Sequence, residues 1–151
     1  KLERQRAATC VNVCLDDTCG TVHFAKDGMH GGIVDPTDEG NLEIVTLRTE
    51  TLAGVLKAHR APRHIDYLSV AVEGAEDRVF AGFDLDEYQV TCMTVERPSS
   101  ELRARLDGAG FRLVKDIPGL DAFFVHTRHL EEYLQNVFAF HKKRHIALRW
   151  K

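Results

Sequence analysis

Acidic side chains stand at the ends of three apolar runs in this chain. Asp16 follows the first run, Glu73 follows the fourth, and Glu96 ends the fifth. Because ligands of an α/β sheet gather beyond the carboxyl ends of its strands, these acids are candidate site residues. A carboxylate placed there can take a proton from a hydroxyl. The same acids could instead stabilise helix N-termini, an effect worth up to about 1 kcal/mol, and both interpretations stay open.

Cysteine and histidine give weaker chemical signals. Three cysteines are spaced C-x3-C-x4-C and a fourth stands apart (Cys10, Cys14, Cys19 and Cys92). Zinc sites usually use closer cysteine pairs, and His141 and His145 have no clear third ligand, so we predict no metal site.

Nothing in the sequence requires disulfides, and a reducing, cytoplasmic compartment is therefore expected. No apolar stretch approaches the roughly 20 residues of a membrane-spanning helix.

The elements that must position these residues alternate between strands and helices. Apolar and β-branched runs predict strands at residues 10–15, 21–25, 43–49, 65–72, 89–96, 111–114 and 121–126. Helices are predicted after Thr51, from Ala75, from Pro98 and over residues 129–141, and residues 26–41 are predicted to form a mobile surface loop. This order predicts an α/β fold with parallel central strands and an antiparallel terminal strand pair.

Charge is distributed unevenly along the chain. The 151 residues have 44% hydrophobic and 28% charged composition, which is typical of a single packed domain. The net charge of −3 divides into −7 for residues 1–126 and +4 for residues 127–151. The basic end is best explained as a solvated helix face, and without interleaved aromatic residues it does not indicate nucleic-acid binding.

One stretch carries a specific family resemblance. Ile65–Glu76 reads I-D-Y-L-S-V-A-V-E-G-A-E, which resembles the I-D-x-L-x-x-D-V-E-G-x-E signature of FkbM-type methyltransferases. Cys14–Phe24 is similar to the family's A-L-S-D-x-x-G-x-V-x-F segment, and Val95-Glu96 and Gly108–Phe111 match later elements in the right order. The resemblance covers about residues 2–126, so we expect a partial methyltransferase domain over residues 1–126. Residues 127–151 would be a basic amphipathic helix packed on it or extending from it.

The resemblance implies an S-adenosylmethionine-dependent O-methyltransferase acting on a hydroxyl of a sugar, glycan or secondary metabolite. It further implies a doubly wound, Rossmann-like sheet of the class I methyltransferases. By matching position, Leu15 and Asp16 would lie near the adenine of the cofactor. Ala71 and Val72 would lie near its methionine part, and Glu73 and Glu96 would be the catalytic acids.

Two departures from the family pattern bear on activity. The glycine-rich turn that usually follows the first strand has no counterpart, and Ala71 stands where the family has Asp. The first residue is Lys1, so we expect a piece of a longer domain that lacks its first two strands. An exposed sheet edge would then be covered by the preceding segment or by a partner chain. The alternatives are a non-catalytic interaction module on a degenerate methyltransferase fold, and a small α/β domain of unrelated function.

Overall fold

The structure of the protein is a computed structural model that describes residues 8–28, 31–35 and 42–136. These residues form two compact units. The first unit contains the described residues up to Ala61 together with Val72–Phe83. The second contains Pro62–Ala71 and the described residues from Asp84 onward. Each unit has a four-stranded sheet of its own.

The first unit combines a mostly antiparallel sheet with two short helices. Its elements are β1 (Cys14–Leu15), β2 (Gly20–Lys26), β3 (Gly32–Val34), β4 (Glu43–Glu50), α1 (Leu52–Ala58) and α2 (Glu76–Ala81). The strand order is β1-β4-β2-β3, with β1 parallel to β4 and the other pairs antiparallel. Helix α1 begins as predicted, because the hydroxyl of Thr51 accepts a hydrogen bond from the Gly54 amide at 3.0 Å.

The second unit is a mixed sheet with an antiparallel strand pair at its end. Its elements are β5 (His64–Val70), β6 (Gln89–Glu96), α3 (Ser100–Gly108), β7 (Phe111–Asp116), β8 (Asp121–His126) and a helix α4 over residues 127–136. The strand order is β5-β6-β8-β7. Strands β5 and β6 are parallel, and β8 is antiparallel to both β6 and β7. The predicted parallel pair and the predicted terminal strand pair are confirmed.

Each unit has its own set of buried apolar side chains. In the first unit they are Ala25, Leu52, Ala75, Val79, Phe80 and Phe83. In the second they are Val70, Tyr88, Val90, Met93, Val95, Leu102, Leu106, Phe111, Ala122, Phe124 and Val125. No helix in the described part of the chain is long and apolar enough to cross a membrane.

The structure corrects several details of the sequence prediction. The mixed α/β class is confirmed, but the described strands form two sheets where one doubly wound sheet was expected, because β2 pairs with β3 on one side and with β4 on the other. Strand β3 lies inside the stretch predicted as a loop over residues 26–41. The first strand is two residues long where six were predicted. The predicted helix over residues 129–141 is helical up to residue 136, and its remaining residues lie outside the described part.

Strand β5 also differs from its prediction. A strand was expected over residues 65–72 from a nearly continuous apolar run, but β5 ends at Val70 and several of its side chains are exposed. Tyr67 is 56% exposed, although its hydroxyl donates to the Thr94 hydroxyl at 2.7 Å. Among the described strands β5 pairs with β6 alone, so it forms an edge of its sheet. This edge position accounts for the exposure.

Candidate functional site

Asp16 is placed by the short strand that precedes it. Its amide donates to the Glu50 carbonyl at 3.0 Å, which extends the parallel β1–β4 pairing by one residue. The residue is only 3% exposed. A buried carboxylate is costly unless it is paired and hydrogen-bonded, so its partners decide what it can do.

Those partners come from the neighbouring amide and from helix α2. Arg78 Nε donates to Asp16 Oδ1 at 2.7 Å, and Arg78 Nη2 donates to Asp16 Oδ2 at 2.6 Å. The Asp17 amide adds a third hydrogen bond to Oδ1 at 2.8 Å. The two bonds from Arg78 make a bidentate arginine–carboxylate pair, which is stronger than a single-bonded one. It neutralises the buried charge and sets the direction of the carboxylate.

Glu73 lies in a strained turn between β5 and α2. Glu73 has φ 51° and Gly74 has φ 98°, so two consecutive residues adopt the left-handed region. Glycine enters that region freely, whereas a residue such as glutamate does so at a cost that the surrounding structure must offset. Backbone strain of this kind concentrates at functional sites.

The first residue of helix α2 holds this turn in place. Glu76 is 3% exposed, and its Oε1 accepts a hydrogen bond from the Val72 amide at 3.0 Å. The bond joins the start of the helix to the start of the turn, with Glu73 between them. Helix α2 therefore bonds two other segments of the first unit. Glu76 accepts from the Val72 amide, and Arg78 donates to Asp16.

At Gly32 and Gly82 the absence of a side chain lets the backbone come close to the carbonyl groups of Glu73 and Asp17. A Cβ added to Gly32 at the start of β3 would lie 3.0 Å from the Glu73 carbonyl oxygen. A Cβ added to Gly82 at the end of α2 would overlap the Asp17 carbonyl oxygen. Both contacts are with backbone atoms, which cannot swing away as a side chain could. The turn at Glu73 and the loop at Asp17 are thus packed tightly against neighbouring elements.

Glu96 belongs to the second unit, at the end of β6. Its side chain is 18% exposed, and Oε1 lies 3.0 Å from Nη2 of Arg97. Arg97 has φ 40°, and its amide donates to the Leu120 carbonyl at 2.7 Å. Like the turn at Glu73, this strand end carries an acid beside a residue in the left-handed region.

The remaining predicted site residues differ in exposure. Leu15 and Val72 are half-buried in the first unit, whereas Ala71 is exposed and follows the end of β5 in the second unit. Sequence reasoning missed Glu76 and Arg78 as site-building residues. Glu76 closes the signature motif, which was an available signal, but nothing in the sequence marks Arg78 as the partner of Asp16.

Burial raises the pKa of two cysteine thiols, one in each unit. Burial raises the pKa of the Cys14 thiol, and the nearby Asp16 carboxylate raises it further while Arg78 opposes the effect. Burial, aided by Asp66, likewise raises the pKa of the Cys92 thiol. A thiol is nucleophilic only as its thiolate, so the arrangement disfavours cysteine-based catalysis at either position.

Metal-ligating side chains do not cluster in the described part of the chain. No group of three or more His, Cys, Asp or Glu residues there is arranged to hold a metal ion. His141 and His145, the pair weighed in the sequence, lie outside the described residues.

Comparison with known proteins gives one family match. A model of the methyltransferase FkbM domain matches residues 6–113, well over half of the chain. The matched segment includes Asp16, the turn at Glu73, helix α2 and Glu96. No curated protein and no solved structure gives a significant match.

Proposed function

Because the chain belongs to the FkbM methyltransferase family, we propose that it is an S-adenosylmethionine-dependent O-methyltransferase. The methyl acceptor would be a hydroxyl group of a sugar or secondary metabolite. The observation that carries the proposal is the family match across the V-E-G-A-E loop at residues 72–76. In this proposal the methyltransferase domain occupies residues 1–126, and residues 127–151 form a basic amphipathic helix packed on it or extending from it.

The strand order of the second unit also supports the proposal. The order β5-β6-β8-β7, with β8 antiparallel to its neighbours, agrees with the antiparallel terminal strand pair predicted from the order of elements in the sequence. We infer that β5 to β8 are the carboxyl-terminal part of a Rossmann-like methyltransferase sheet.

The first unit has apolar and carboxylate side chains of the kinds that the proposed cofactor needs. An adenine ring needs an apolar surface and hydrogen-bonding groups at its edge, and a sulfonium cation favours nearby carboxylates. Leu15 supplies an apolar side chain next to Asp16, whose carboxylate Arg78 holds in one direction. Val72 and Glu73 supply a half-buried turn with one further carboxylate. We propose that Leu15 and Asp16 hold the adenine and that Ala71 and Val72 border the methionine part.

When bound, the cofactor supplies a methyl group on a positively charged sulfur. Methyl transfer breaks the sulfur–carbon bond and forms a carbon–oxygen bond, and the acceptor hydroxyl must lose its proton. We propose that the Glu73 carboxylate takes this proton, because its turn is held rigidly by Glu76. Glu96 is the second proposed catalytic acid, and it would stabilise positive charge from the end of β6.

Binding of S-adenosylhomocysteine to this chain tests the proposal directly. Isothermal titration calorimetry is expected to show saturable binding with one site per chain. The Glu73→Gln variant should retain this binding but lose transfer of a radiolabelled methyl group, while the exposed Glu132→Gln variant serves as the matched control. If the folded chain, verified by circular dichroism, releases no binding heat at two temperatures and gains no thermal stability with excess S-adenosylhomocysteine, the proposed function is wrong.

A variant at Ala71 tests the departure from the family pattern. Ala71 is exposed, so an aspartate fits at this position without burying a charge. If Ala71 limits activity, Ala71→Asp should raise the methyl-transfer rate and leave the fold unchanged. An unchanged rate in a variant that binds S-adenosylhomocysteine would show that residue 71 does not limit the reaction.

A further inference from the structure

One face of the sheet in the second unit carries an apolar groove. The strands and helix α4 line it together, and its exposed surface is almost entirely apolar. We call it the aromatic groove, and the side chains that define it are Tyr67, Cys92, Thr94, Phe123, Val125 and Tyr133.

The strand register puts the sheet residues of the aromatic groove on one face. Tyr67 pairs with Cys92, and Cys92 pairs with Val125. Thr94, two residues further along β6, pairs with Phe123. Because side chains two residues apart on a strand point to the same face, all five share that face. The hydrogen bond from the Tyr67 hydroxyl to the Thr94 hydroxyl, at 2.7 Å, agrees with this arrangement.

The two faces of this sheet differ in how well they are covered. The residues that alternate with the groove residues are at most 3% exposed, namely Met93, Val95, Ala122 and Phe124. On the groove face, Tyr67 is 56% exposed, and Cys92 and Phe123 are only half-buried. The described part of the chain therefore leaves an apolar face partly open.

Helix α4 brings the chain to this open face. It follows β8 directly, and the ring of His129 lies edge-on to that of His64 in β5, with the centroids 6.3 Å apart. Leu130 and Tyr133 are half-buried, and Tyr133 lines the aromatic groove. Leu134 is 43% exposed. The helix thus turns the side with Leu130 and Tyr133 inward and the side with Leu134 outward.

The sequence after α4 repeats this two-sided pattern. Residues 137–151 lie outside the described residues. Phe140 follows Tyr133 by seven residues, a spacing that returns to the same side of a helix after two turns. Phe138 follows the exposed Leu134 by four residues, which puts it on the outer side. Helical spacing therefore distinguishes the two phenylalanines.

The size of the aromatic groove suits a single ring. Its cavity has a volume of about 150 Å³. An apolar cavity of roughly this volume holds one benzene molecule, whereas small-molecule sites usually have volumes of about 300–1,000 Å³. One aromatic side chain therefore fits better than a cofactor or a substrate.

Charge also favours the carboxyl-terminal segment as the occupant. Residues 137–151 contain five Lys or Arg and no Asp or Glu. The second unit up to residue 126 contains nine Asp or Glu and six Lys or Arg. The segment and the unit to which it is joined thus attract each other.

We propose that residues 137–151 continue across this face of the second unit and that the ring of Phe140 fills the aromatic groove. Of the two arrangements expected for the basic helix, the proposal selects the one packed on the domain. It does not depend on the methyltransferase function.

Nuclear magnetic resonance of the full chain tests the contact. Nuclear Overhauser effects are expected between the ring protons of Phe140 and the methyl groups of Val125. Phe140→Ala and Phe140→Leu should both shift those methyl signals, because the ring current is lost. The matched control Phe138→Ala should leave them in place. The leucine variant keeps an apolar side chain and provides this readout even if the alanine variant does not fold.

Thermal unfolding of the same variants gives a second readout. Phe140→Ala should lower the midpoint by about 5 °C or more, because a buried ring is removed. Phe138→Ala should change it by about 2 °C or less, as expected for a surface position.

Four outcomes overturn the proposal. The first is the absence of Overhauser effects between Phe140 and Val125 in the wild type. The second is an equal effect of the Phe138 and Phe140 variants on the midpoint. The third is a contact seen only between labelled and unlabelled chains in a mixed sample, which would make a second copy the occupant. The fourth is added benzene that shifts the Val125 methyl signals saturably in the wild type, which would show an open groove.

Discussion

Arg78 holds both carboxylate oxygens of Asp16 across 62 residues of sequence. The pair joins the loop after β1 to helix α2, which has only six residues. Isolated helices shorter than about 12–15 residues are marginal in water, so α2 depends on tertiary contacts of this kind. The contact also orients the acid that the family resemblance assigns to the adenine.

Removing the arginine should destabilise the chain more than removing the whole pair. Arg78→Met leaves the buried Asp16 carboxylate with only the Asp17 amide, and we expect a loss of about 1–3 kcal/mol in the free energy of unfolding. The double variant Asp16→Asn with Arg78→Met should recover part of this loss, because no charge is left buried.

Urea unfolding at pH 7 measures both variants. The control is Arg63→Met, which removes an arginine whose only described ion pair is long, at 3.9 Å to Glu87. A double variant less stable than Arg78→Met alone would contradict the explanation.

Gly82→Ala should destabilise the first unit. The added methyl would overlap the Asp17 carbonyl oxygen, and relieving that overlap should cost about 1–3 kcal/mol. The matched control is Gly108→Ala near the end of α3, where no atom lies within 4 Å of the added methyl. That variant should be neutral or stabilised by up to about 1 kcal/mol. Equal thermal unfolding midpoints for the two variants would show that the close approach at Gly82 has no effect on stability.

Glu76 should matter as a hydrogen-bond acceptor more than as a charge. Glu76→Ala leaves the Val72 amide without its acceptor, and about 1–3 kcal/mol of stability should be lost. Glu76→Gln keeps an oxygen at the same place and should lose less. Hydrogen exchange of the Val72 amide provides a local readout, which should accelerate in the alanine variant and stay slow in the glutamine variant. Exchange that is unchanged in both would exclude this role.

Protonation of His126 should lower the free energy of unfolding in mild acid. Burial, together with Arg128 and His129, lowers the pKa of His126 against a smaller opposing effect of its hydrogen bond to the Ala109 backbone. The unfolded chain therefore binds this proton first, near pH 6.5, so stability rises with pH through the window just below that value. Protonation would also remove the Nδ1 acceptor that the Arg128 amide uses at 3.1 Å.

Two measurements check this expectation. The resonance of the His126 ring should titrate below pH 6.5, and His126→Gln should show a weaker fall in unfolding free energy between pH 7.5 and pH 5.5. A titration midpoint at or above 6.5 would contradict it.

Local patterns in the sequence predicted most elements correctly. Strand β6 over Gln89–Glu96 and the helix start after Thr51 depend on neighbouring residues, and the structure confirms them. The helix predicted from Pro98 begins at Ser100, with Ser99 as its N-cap. Strand β3 was missed because it is three residues long, begins with the second of two consecutive glycines, and acquires strand geometry only by pairing with β2. The open edge at β5 and its exposed side chains likewise depend on which strands pair.

The signature at Ile65–Glu76 by itself determined the family, because its residue types and spacing are readable along the chain. Only the tertiary structure decided how its acids are held. Glu76 bonds the Val72 amide because the turn at Glu73 and Gly74 folds back on itself. Asp16 meets Arg78 because packing brings together residues that no helical or strand periodicity relates. Contacts between distant segments depend on chain folding and burial, which a local pattern does not encode.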